Sequence, residues 1–182
     1  MSDFKQQFEK ETIKKVQEKL DIKNPMAVPR IKKIVINESS KEFLADRKYI
    51  DGAAEDLAII TGQKARVARA KVSIATFKLR EGDKIGLQVT LRGKRMYDFF
   101  EKLVKIVLPR VRDFSGVNDK SFDGRGNLTI GFSEHIVFPE IDPGRVDKIR
   151  SLQLTIITNA GTNEKAKVLL EEMGMPFRKA NN

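Results

Sequence analysis

The chain has 182 residues, of which 40% are hydrophobic, and this is enough to bury the core of a domain of this length. Its 35 lysines and arginines exceed its 25 acids, and the net charge of +10 favours nucleic acid as a partner over an anionic membrane. No cysteine is present, which excludes disulfides and thiolate metal sites, and no apolar run approaches the roughly 20 residues of a spanning helix. The N-terminal residues carry acids and no signal-peptide core, so we expect a cytoplasmic protein.

Hydrophobic periodicity divides the chain into predicted helices and strands. The predicted helices, in chain order, are residues 3–20, with Ser2 as the cap, a segment from Asp46 or a neighbour to Ile60, residues 95–107, and a segment that follows Thr162. The predicted strands are residues 30–37, 64–70, 84–92, 127–132 and 152–158. This order predicts a single α+β domain over residues 1–182, with a mostly antiparallel sheet and helices packed on one face.

Three connecting segments stand out between these elements. Residues 38–41 form a polar turn, and residues 71–83 predict a protruding basic loop or hairpin with an exposed Phe77. Residues 110–126 are long and irregular, which is typical of a functional loop. The last six residues, 177–182, read as a loose tail.

Positive charge is concentrated in residues 61–95, which carry ten basic residues and two acids, so the other 147 residues contribute only +2. Within this stretch the strand 84–92 alternates strictly, so its two faces differ. The apolar face has Ile85, Leu87, Val89 and Leu91, and the polar face has Gly86, Gln88, Thr90 and Arg92. The pattern predicts a sheet with one face in the core and the other open to nucleic acid.

Uncharged polar residues accompany the basic ones on or near these strands: Asn37, Gln63, Gln88 and Thr90. Amides and hydroxyls recognise bases and 2′-hydroxyls, whereas lysine and arginine hold phosphates, so the mixture favours structured RNA. The strand LQVTLRG lacks the aromatic rings with which single-stranded bases stack.

Other candidate sites have simpler interpretations. Asp123-Gly-Arg-Gly126 lacks the lysine of a phosphate-binding loop and is interpreted as a turn. His135 is the only histidine, and it has a packing or surface role in this interpretation, because its neighbour Glu134 would point the other way on a strand. We predict no catalytic residues, no metal site and no cofactor.

Two alternative functions remain at this point. A metal-dependent enzyme acting on RNA would need clustered carboxylates, and Glu81 and Asp83, the acids of the basic stretch, are explained by a turn. A basic membrane-surface module would need an amphipathic helix with a basic polar face, and residues 3–20 carry both signs there.

Long strings of the sequence, including VPRIKKIVIN, KIGLQVTLRGKRMYDFFEKL, SFDGRGN and IVFPEID, resemble the bacterial family of large-subunit ribosomal protein five, over residues 4–179. The resemblance implies a non-enzymatic ribosomal protein whose sheet binds 5S ribosomal RNA and helps attach it in the central protuberance. It also implies contacts with peptidyl-site transfer RNA, with large-subunit rRNA and neighbouring ribosomal proteins, and with small-subunit ribosomal protein thirteen at an intersubunit bridge.

The resemblance also assigns residues to these partners. It places Asn37, Gln63 and Thr90 on the 5S RNA, and charge and strand face add four basic residues, Lys33, Lys64, Arg66 and Arg92. The loop 71–83 corresponds to the transfer-RNA contact, with Lys71, Ser73, Phe77, Lys78 and Arg80. The bridge surface is expected in residues 110–125.

The chain departs from the family pattern in three places. Glu38-Ser39-Ser40 replaces a glycine-containing turn, which puts a negative charge next to Asn37. Thr76 stands where a glycine is expected, which implies a stiffer loop tip, and Val72 replaces a usual lysine.

Overall fold

The computed structural model describes residues 11–40, 42–45, 47–146 and 148–178. The predicted Ser2 cap, the first part of the helix 3–20, Asp46 and the tail from residue 179 therefore lie outside the described residues. The chain divides into two compact units. Unit 1 contains residues 1–34, 91–130 and 155–182, and unit 2 contains residues 35–90 and 131–154. The prediction of a single domain over the whole chain stays a prediction.

Helices and strands follow the predicted order. The main helices are α1 (Ile13–Lys19), α2 (Arg47–Thr61), α3 (Gly93–Lys102) and α4 (Asn163–Glu172), with a single helical turn at Glu42–Ala45. The strands are β1 (Ile31–Glu38), β2 (Arg66–Arg69), β3 (Lys84–Leu91), β4 (Leu128–Phe132) and β5 (Leu152–Thr158). Short 3₁₀ turns lie at Pro25–Ala27, Ala75–Phe77, Asp119–Ser121, His135–Val137 and Pro143–Arg145.

The five strands form one antiparallel sheet in the order β2-β3-β1-β5-β4. In the three long strands, β1, β3 and β5, buried residues alternate with half-buried or exposed ones over most of their length. This is the pattern of a sheet with one face in a core and one face open. The predicted α+β class with a mostly antiparallel sheet is confirmed.

The helical segment after β3 changes geometry near its end. Helix α3 stops at Lys102, a five-residue π-helix follows at Leu103–Val107, and Pro109 lies in the last helical turn. Proline has no N–H and its ring collides with the carbonyl four residues earlier, so a regular α-helix cannot continue through it. The N–H of Leu108 bonds instead to the carbonyl of Leu103, five residues back. Pro109 therefore modifies the helix without ending it at that residue.

The loop 110–126 in unit 1 is held at its middle. Val117 pairs with Phe177 as a parallel bridge, in which the Val117 N–H donates to the Pro176 carbonyl over 2.9 Å. The Arg178 N–H donates to the Val117 carbonyl over 2.9 Å, and the ring of Phe122 stacks on Phe177 with 5.8 Å between centroids. The segment predicted to be irregular is thus anchored by Phe177 and Arg178, and the prediction that these two residues belong to a loose tail is wrong.

Unit 2 buries a polar cluster among its apolar residues. Glu38, at the end of β1, is 3% exposed, and Arg150, just before β5, is 6% exposed. The Arg150 guanidinium bonds the carboxylate of Asp56 on α2, stacks over the Tyr49 ring, and lies 3.9 Å from the Glu38 carboxylate. Glu38 Oε1 and Arg150 Nε are both buried without a hydrogen-bond partner in the described part of the chain. The cluster therefore holds two carboxylates around one guanidinium.

His135 completes this cluster and has a structural role, as predicted. It is 1% exposed, and its Nδ1 accepts a hydrogen bond from the Arg150 backbone N–H over 3.1 Å. An accepting Nδ1 is unprotonated, so the neutral ring carries its proton on Nε2, which faces Asp56 at 3.5 Å. Burial lowers the pKa of His135, although the negative charge of Asp56 acts against this.

Burial also raises the pKa of Glu38 to about 7, because the loss of hydration outweighs the attraction of Arg150, and Asp56 adds to the rise. Residues 38–41 were predicted to form a polar turn, and this is wrong for Glu38, which is the last residue of β1 and is buried in unit 2. Strand alternation explains the difference, since Ile34, Ile36 and Glu38 share one face of β1.

The first prediction concerns Gly126 in the Asp123–Gly126 turn. Gly126 has φ of +83°, and a Cβ at this position would lie 2.8 Å from the Thr162 carbonyl oxygen. We expect Gly126→Ala to lower the free energy of unfolding by about 3 kcal/mol, because it adds overpacking to an unfavourable backbone conformation. Gly124→Ala is the matched control. Gly124 has φ of +87°, but a Cβ at this position would have no other atom within 4 Å, so we expect the free energy of unfolding to fall by only about 1 kcal/mol. Equal losses, measured by urea denaturation, would contradict this account.

The second prediction concerns Glu38 and pH. The folded state holds the Glu38 proton up to about pH 7, whereas the unfolded chain releases it near 4.5. The contribution of Glu38 to stability is therefore complete below pH 4.5 and is lost as the pH rises toward 7, at up to about 1.4 kcal/mol per pH unit. The lowered pKa of His135 acts oppositely, since its contribution is lost as the pH falls below the unfolded value of 6.5.

On going from pH 5 to pH 8, the free energy of unfolding of the Glu38→Gln variant should therefore rise by about 2–3 kcal/mol relative to that of the wild type. The reason is that the amide does not ionise. Urea denaturation at both pH values measures this difference. Glu42→Gln is the matched control, since the Glu42 carboxylate is exposed and pairs at the surface with Lys148. If Glu38→Gln follows the pH dependence of the wild type, Glu38 does not titrate in this range.

Candidate nucleic-acid interface

In unit 2, strands β2 and β3 present polar residues on the open face of the sheet. Arg66 lies directly opposite Gln88 in the antiparallel register, and both side chains are exposed. Thr90 lies two residues beyond Gln88 on the same face and is half-buried. The apolar residues on either side of Gln88, Leu87 and Val89, are buried. The predicted two-faced strand is therefore present, with a cation, an amide and a hydroxyl on its open side.

Gln63 is tied to this face by its side chain. Its Nε2 donates to the Thr90 backbone carbonyl over 3.3 Å, although the two residues belong to different elements. Gln63 also lines a shallow open groove of about 560 Å³ beside the end of α2, with Ala54, Glu55, Ala58, Gly62 and Lys64. The structure thus brings Gln63 and Thr90 together. Lys64, which follows Gln63 in the chain, is exposed.

Asn37 is half-buried near the end of β1, on the face opposite to Glu38. The negative charge that the sequence places beside Asn37 therefore does not lie on the open face. The turn that follows is fixed to β3, because the Ser39 hydroxyl donates to the Ile85 carbonyl over 2.9 Å. Gly86 permits this approach, since a Cβ there would lie 2.9 Å from the Glu38 carbonyl oxygen.

Two predicted RNA-binding residues belong to unit 1. Lys33 is half-buried on β1, and it alternates with the buried Ile34 in the strand. Arg92 is exposed and extended, and it is the residue that precedes α3. Both side chains reach the surface of their own unit.

The basic arm, residues 71–83, is a closed hairpin loop at the far ends of β2 and β3. Ile74 pairs with Leu79 around a 3₁₀ turn that contains Thr76. The Glu81 N–H donates to the Ser73 hydroxyl over 2.9 Å, and the Arg80 N–H donates to the Asp83 carboxylate over 2.7 Å. Both acids of the basic stretch are therefore part of a turn, as the sequence predicts.

The tip of the arm exposes apolar and basic side chains together. Phe77 is 66% exposed and Val72 is 67% exposed, so neither residue belongs to the core. The residues assigned to the arm by the resemblance are all exposed: Lys71, Ser73, Phe77, Lys78 and Arg80. The hydroxyl oxygen of Ser73 accepts the bond from Glu81 and so helps to close the hairpin, while the assignment of Ser73 to transfer RNA stays a prediction.

The loop 110–125 exposes a second set of charges, in unit 1. Arg110 and Arg112 are exposed, and the Asp123 carboxylate accepts bonds from the Arg125 and Asn127 N–H groups and from the Asn127 side chain. The bond from the Asn127 side chain is the largest of the effects that lower the pKa of Asp123. The Asp123–Gly126 segment is thus a rigid turn, as predicted, with Arg125 exposed at its tip.

Among the residues that the structure describes, no group of three or more histidine, aspartate or glutamate side chains is placed to hold a metal ion. None of the helices found there is long and apolar enough to cross a membrane.

Comparison with known proteins finds one family over most of the chain. A family model described as ribosomal protein L5 matches residues 24–80, and a second model, described as the C-terminus of this ribosomal family, matches residues 84–177. The chain is 54% identical to the large ribosomal subunit protein uL5 of Halothermothrix orenii, over 97% of this chain and 99% of that protein. It is 52% identical to the uL5 proteins of Desulfotalea psychrophila and Dictyoglomus turgidum, over 98% of this chain and the whole of each relative.

These matches confirm the resemblance and also the expectation of a ribosomal protein that is not an enzyme. Two family models together cover most of the sequence, and the relatives are similar from end to end. The chain belongs to the ribosomal protein L5 family.

Proposed function

We propose that the chain is a constituent of the large ribosomal subunit in the cytoplasm, that it binds 5S rRNA through the open face of its sheet, and that it helps attach this RNA in the central protuberance. The observation that carries the proposal is the arrangement of Arg66, Gln88 and Thr90 on one open face of β2 and β3. This face lies within the stretch 61–95, which carries a net charge of +8. The relatives bear the name of a large ribosomal subunit protein.

The side chains that we assign to the RNA have two different roles in binding. In unit 2, the exposed Lys64 and Arg66 pair with phosphates, and in unit 1 Lys33 and Arg92 do the same. The half-buried Asn37, Gln63 and Thr90 donate to or accept from bases and 2′-hydroxyls. The cations supply affinity that depends on salt, and the uncharged groups supply orientation.

The basic arm contacts peptidyl-site transfer RNA in this proposal. Its cations, Lys71, Lys78 and Arg80, can pair with phosphates, and the exposed ring of Phe77 can pack on a ribose or a base. The closed hairpin holds these groups at the end of two strands, away from the face assigned to 5S rRNA.

The bridge to small-subunit ribosomal protein thirteen is assigned to residues 110–125. This segment combines exposed arginines with a rigid turn and an anchor at Val117, so it can present a defined surface to another protein. Remaining surfaces contact large-subunit rRNA and neighbouring ribosomal proteins. No observation favours the alternative of a metal-dependent enzyme: the Asp83 carboxylate accepts a bond within the hairpin, Glu81 is part of the same turn, and the family is ribosomal.

The third prediction tests the phosphate contacts. Arg66→Ala should weaken binding to 5S rRNA and reduce the slope of log affinity against log salt by about 0.9, the value for one duplex phosphate contact. Filter binding or fluorescence anisotropy over a salt series measures both quantities. Arg112→Ala is the matched control, because it removes an exposed arginine of unit 1 that lies outside the sheet. An unchanged slope for Arg66→Ala would contradict a phosphate role for this residue.

Thr90→Val in the same assay tests the uncharged contacts, since valine keeps the shape and removes the hydroxyl. We expect a loss of about three- to tenfold in affinity with the salt slope unchanged, because one hydrogen bond is lost and no charge. Affinity equal to that of the wild type would show that the Thr90 hydroxyl does not contact the RNA.

The fourth prediction concerns the arm. Phe77→Ala should leave the melting temperature and 5S rRNA affinity unchanged, because the ring is 66% exposed and lies outside the RNA face of the sheet. Ribosomes carrying the variant should release peptidyl-site transfer RNA several-fold faster, by about the contribution of one stacked ring. Dissociation of labelled transfer RNA measures this rate, with Met26→Ala as the control for an exposed apolar residue elsewhere. Equal dissociation rates for wild-type and Phe77→Ala ribosomes would show that Phe77 does not contact the transfer RNA.

A further inference from the structure

Thr61 connects the end of α2 to the segment that carries Gln63. It is 8% exposed, and its hydroxyl oxygen lies 2.6 Å from the Leu57 carbonyl oxygen and 3.0 Å from the Gln63 carbonyl oxygen. The same oxygen accepts from the Gln63 N–H over 3.3 Å. Gly62, between the two residues, has φ of +64°, so the chain reverses there and the hydroxyl bridges the reversal.

The orientation of the Gln63 amide follows from its partner. Of the two ends of this amide only the NH₂ group can donate to a carbonyl, so the contact with the Thr90 carbonyl places the NH₂ group on that side. The oxygen Oε1 therefore points elsewhere, and it makes no hydrogen bond within the described part of the chain. Gln63 is half-buried and lines the open groove beside α2, so the amide is accessible to a ligand.

We propose that Thr61 is a positioning residue that fixes Gln63 so that its Oε1 accepts a hydrogen bond from the RNA, given by a ribose 2′-hydroxyl or a base amino group and not by a phosphate. This inference rests on the proposed binding of 5S rRNA and names the chemistry of one contact. Phosphate oxygens at neutral pH are acceptors, and an acceptor cannot pair with Oε1. Hydroxyl and amino groups are the donors that paired RNA leaves available, because the imino N–H groups of paired bases are already bonded.

The lining of the groove agrees with a donor as the ligand. Glu55 lines it together with Gln63, and the carboxylate of a glutamate repels phosphate but accepts from hydroxyl and amino groups. Among the described residues, Lys64 is the only cation that lines the groove, and it can pair with the phosphate of the same nucleotide. The remaining lining residues, Ala54, Ala58 and Gly62, are small and leave room for a ribose or a base edge.

The fifth prediction is a double-mutant cycle on the full chain, with affinity for 5S rRNA as the readout. Thr61→Val keeps the shape of the residue and removes its hydroxyl, and Gln63→Met removes the amide. Each single change should weaken binding by about three- to tenfold, and the double variant should bind no more weakly than Gln63→Met alone. Thr61→Ser keeps the hydroxyl and should restore affinity. The salt slope should equal that of the wild type in all four variants, because no phosphate contact is lost.

Additive losses in this cycle would overturn the inference, because Thr61 would then not act through Gln63. If Thr61→Val is too unstable to purify, Thr61→Ser and Gln63→Met still test the inference: loss of affinity by the serine variant, or full affinity of the methionine variant, would overturn it. A wild-type chain with no preference for 5S rRNA would instead refute the proposed function itself, so the two failures are distinguishable.

The donor on the RNA is identified by 5S rRNA pools that carry single 2′-deoxynucleotides, or single bases without their amino group, at random positions. A 2′-deoxy position that weakens wild-type binding but not that of Gln63→Met assigns a ribose hydroxyl. The same behaviour in the second pool assigns a base amino group. If neither pool contains such a position, the acceptor role of Gln63 is wrong.

Discussion

Side-chain alternation along β1 and β3 is the constraint on which the rest of this structure depends. Leu87, Val89 and Leu91 point into a core, so Gln88 and Thr90 must point out of it. A shift of one residue in the pairing of β3 would bury the polar set and expose the apolar set, so burial of the apolar residues fixes the register. The open polar face is therefore a consequence of core formation.

The same constraint explains the position of Glu38. It is an acid at an inward position of β1, and the register gives it no route to solvent. Unit 2 accommodates it with Arg150, but this guanidinium bonds Asp56 more closely, so Glu38 remains incompletely paired. An incompletely paired acid in a dry environment favours its neutral form. Glu38 thus affects the interior of the unit and its response to pH, while the open face keeps Asn37.

Sequence periodicity predicted the class, the order of elements and the two faces of β3, because these depend on neighbours within a few residues. It also predicted the turn at Glu81 and Asp83 and the exposure of Phe77. It did not predict the buried cluster to which Glu38 belongs, since its other members Asp56, His135 and Arg150 come from three distant segments. Contacts between distant segments depend on tertiary packing, which single-sequence patterns do not encode.

The candidate site shows the same division. Asn37, Gln63 and Thr90 were identified by resemblance, and Lys33, Lys64, Arg66 and Arg92 by charge and strand face. The bond between Gln63 and the Thr90 carbonyl and the hydroxyl bridge of Thr61 were missed. A threonine just before the glycine that ends a helix was the available signal, because its hydroxyl can bond the carbonyl four residues earlier. The anchoring of Val117 by Phe177 left no signal, because 60 residues separate the two in the sequence.

The most direct test of the central claim compares the wild-type chain on 5S rRNA and on an unrelated structured RNA of equal length, over a salt series. Charge alone gives equal affinities that fall together as salt rises. The polar groups on the open face predict a large preference for 5S rRNA that persists near physiological salt, where contacts to bases and 2′-hydroxyls are retained. Equal binding at every salt concentration would contradict the account, because the face would then act only as a cationic surface.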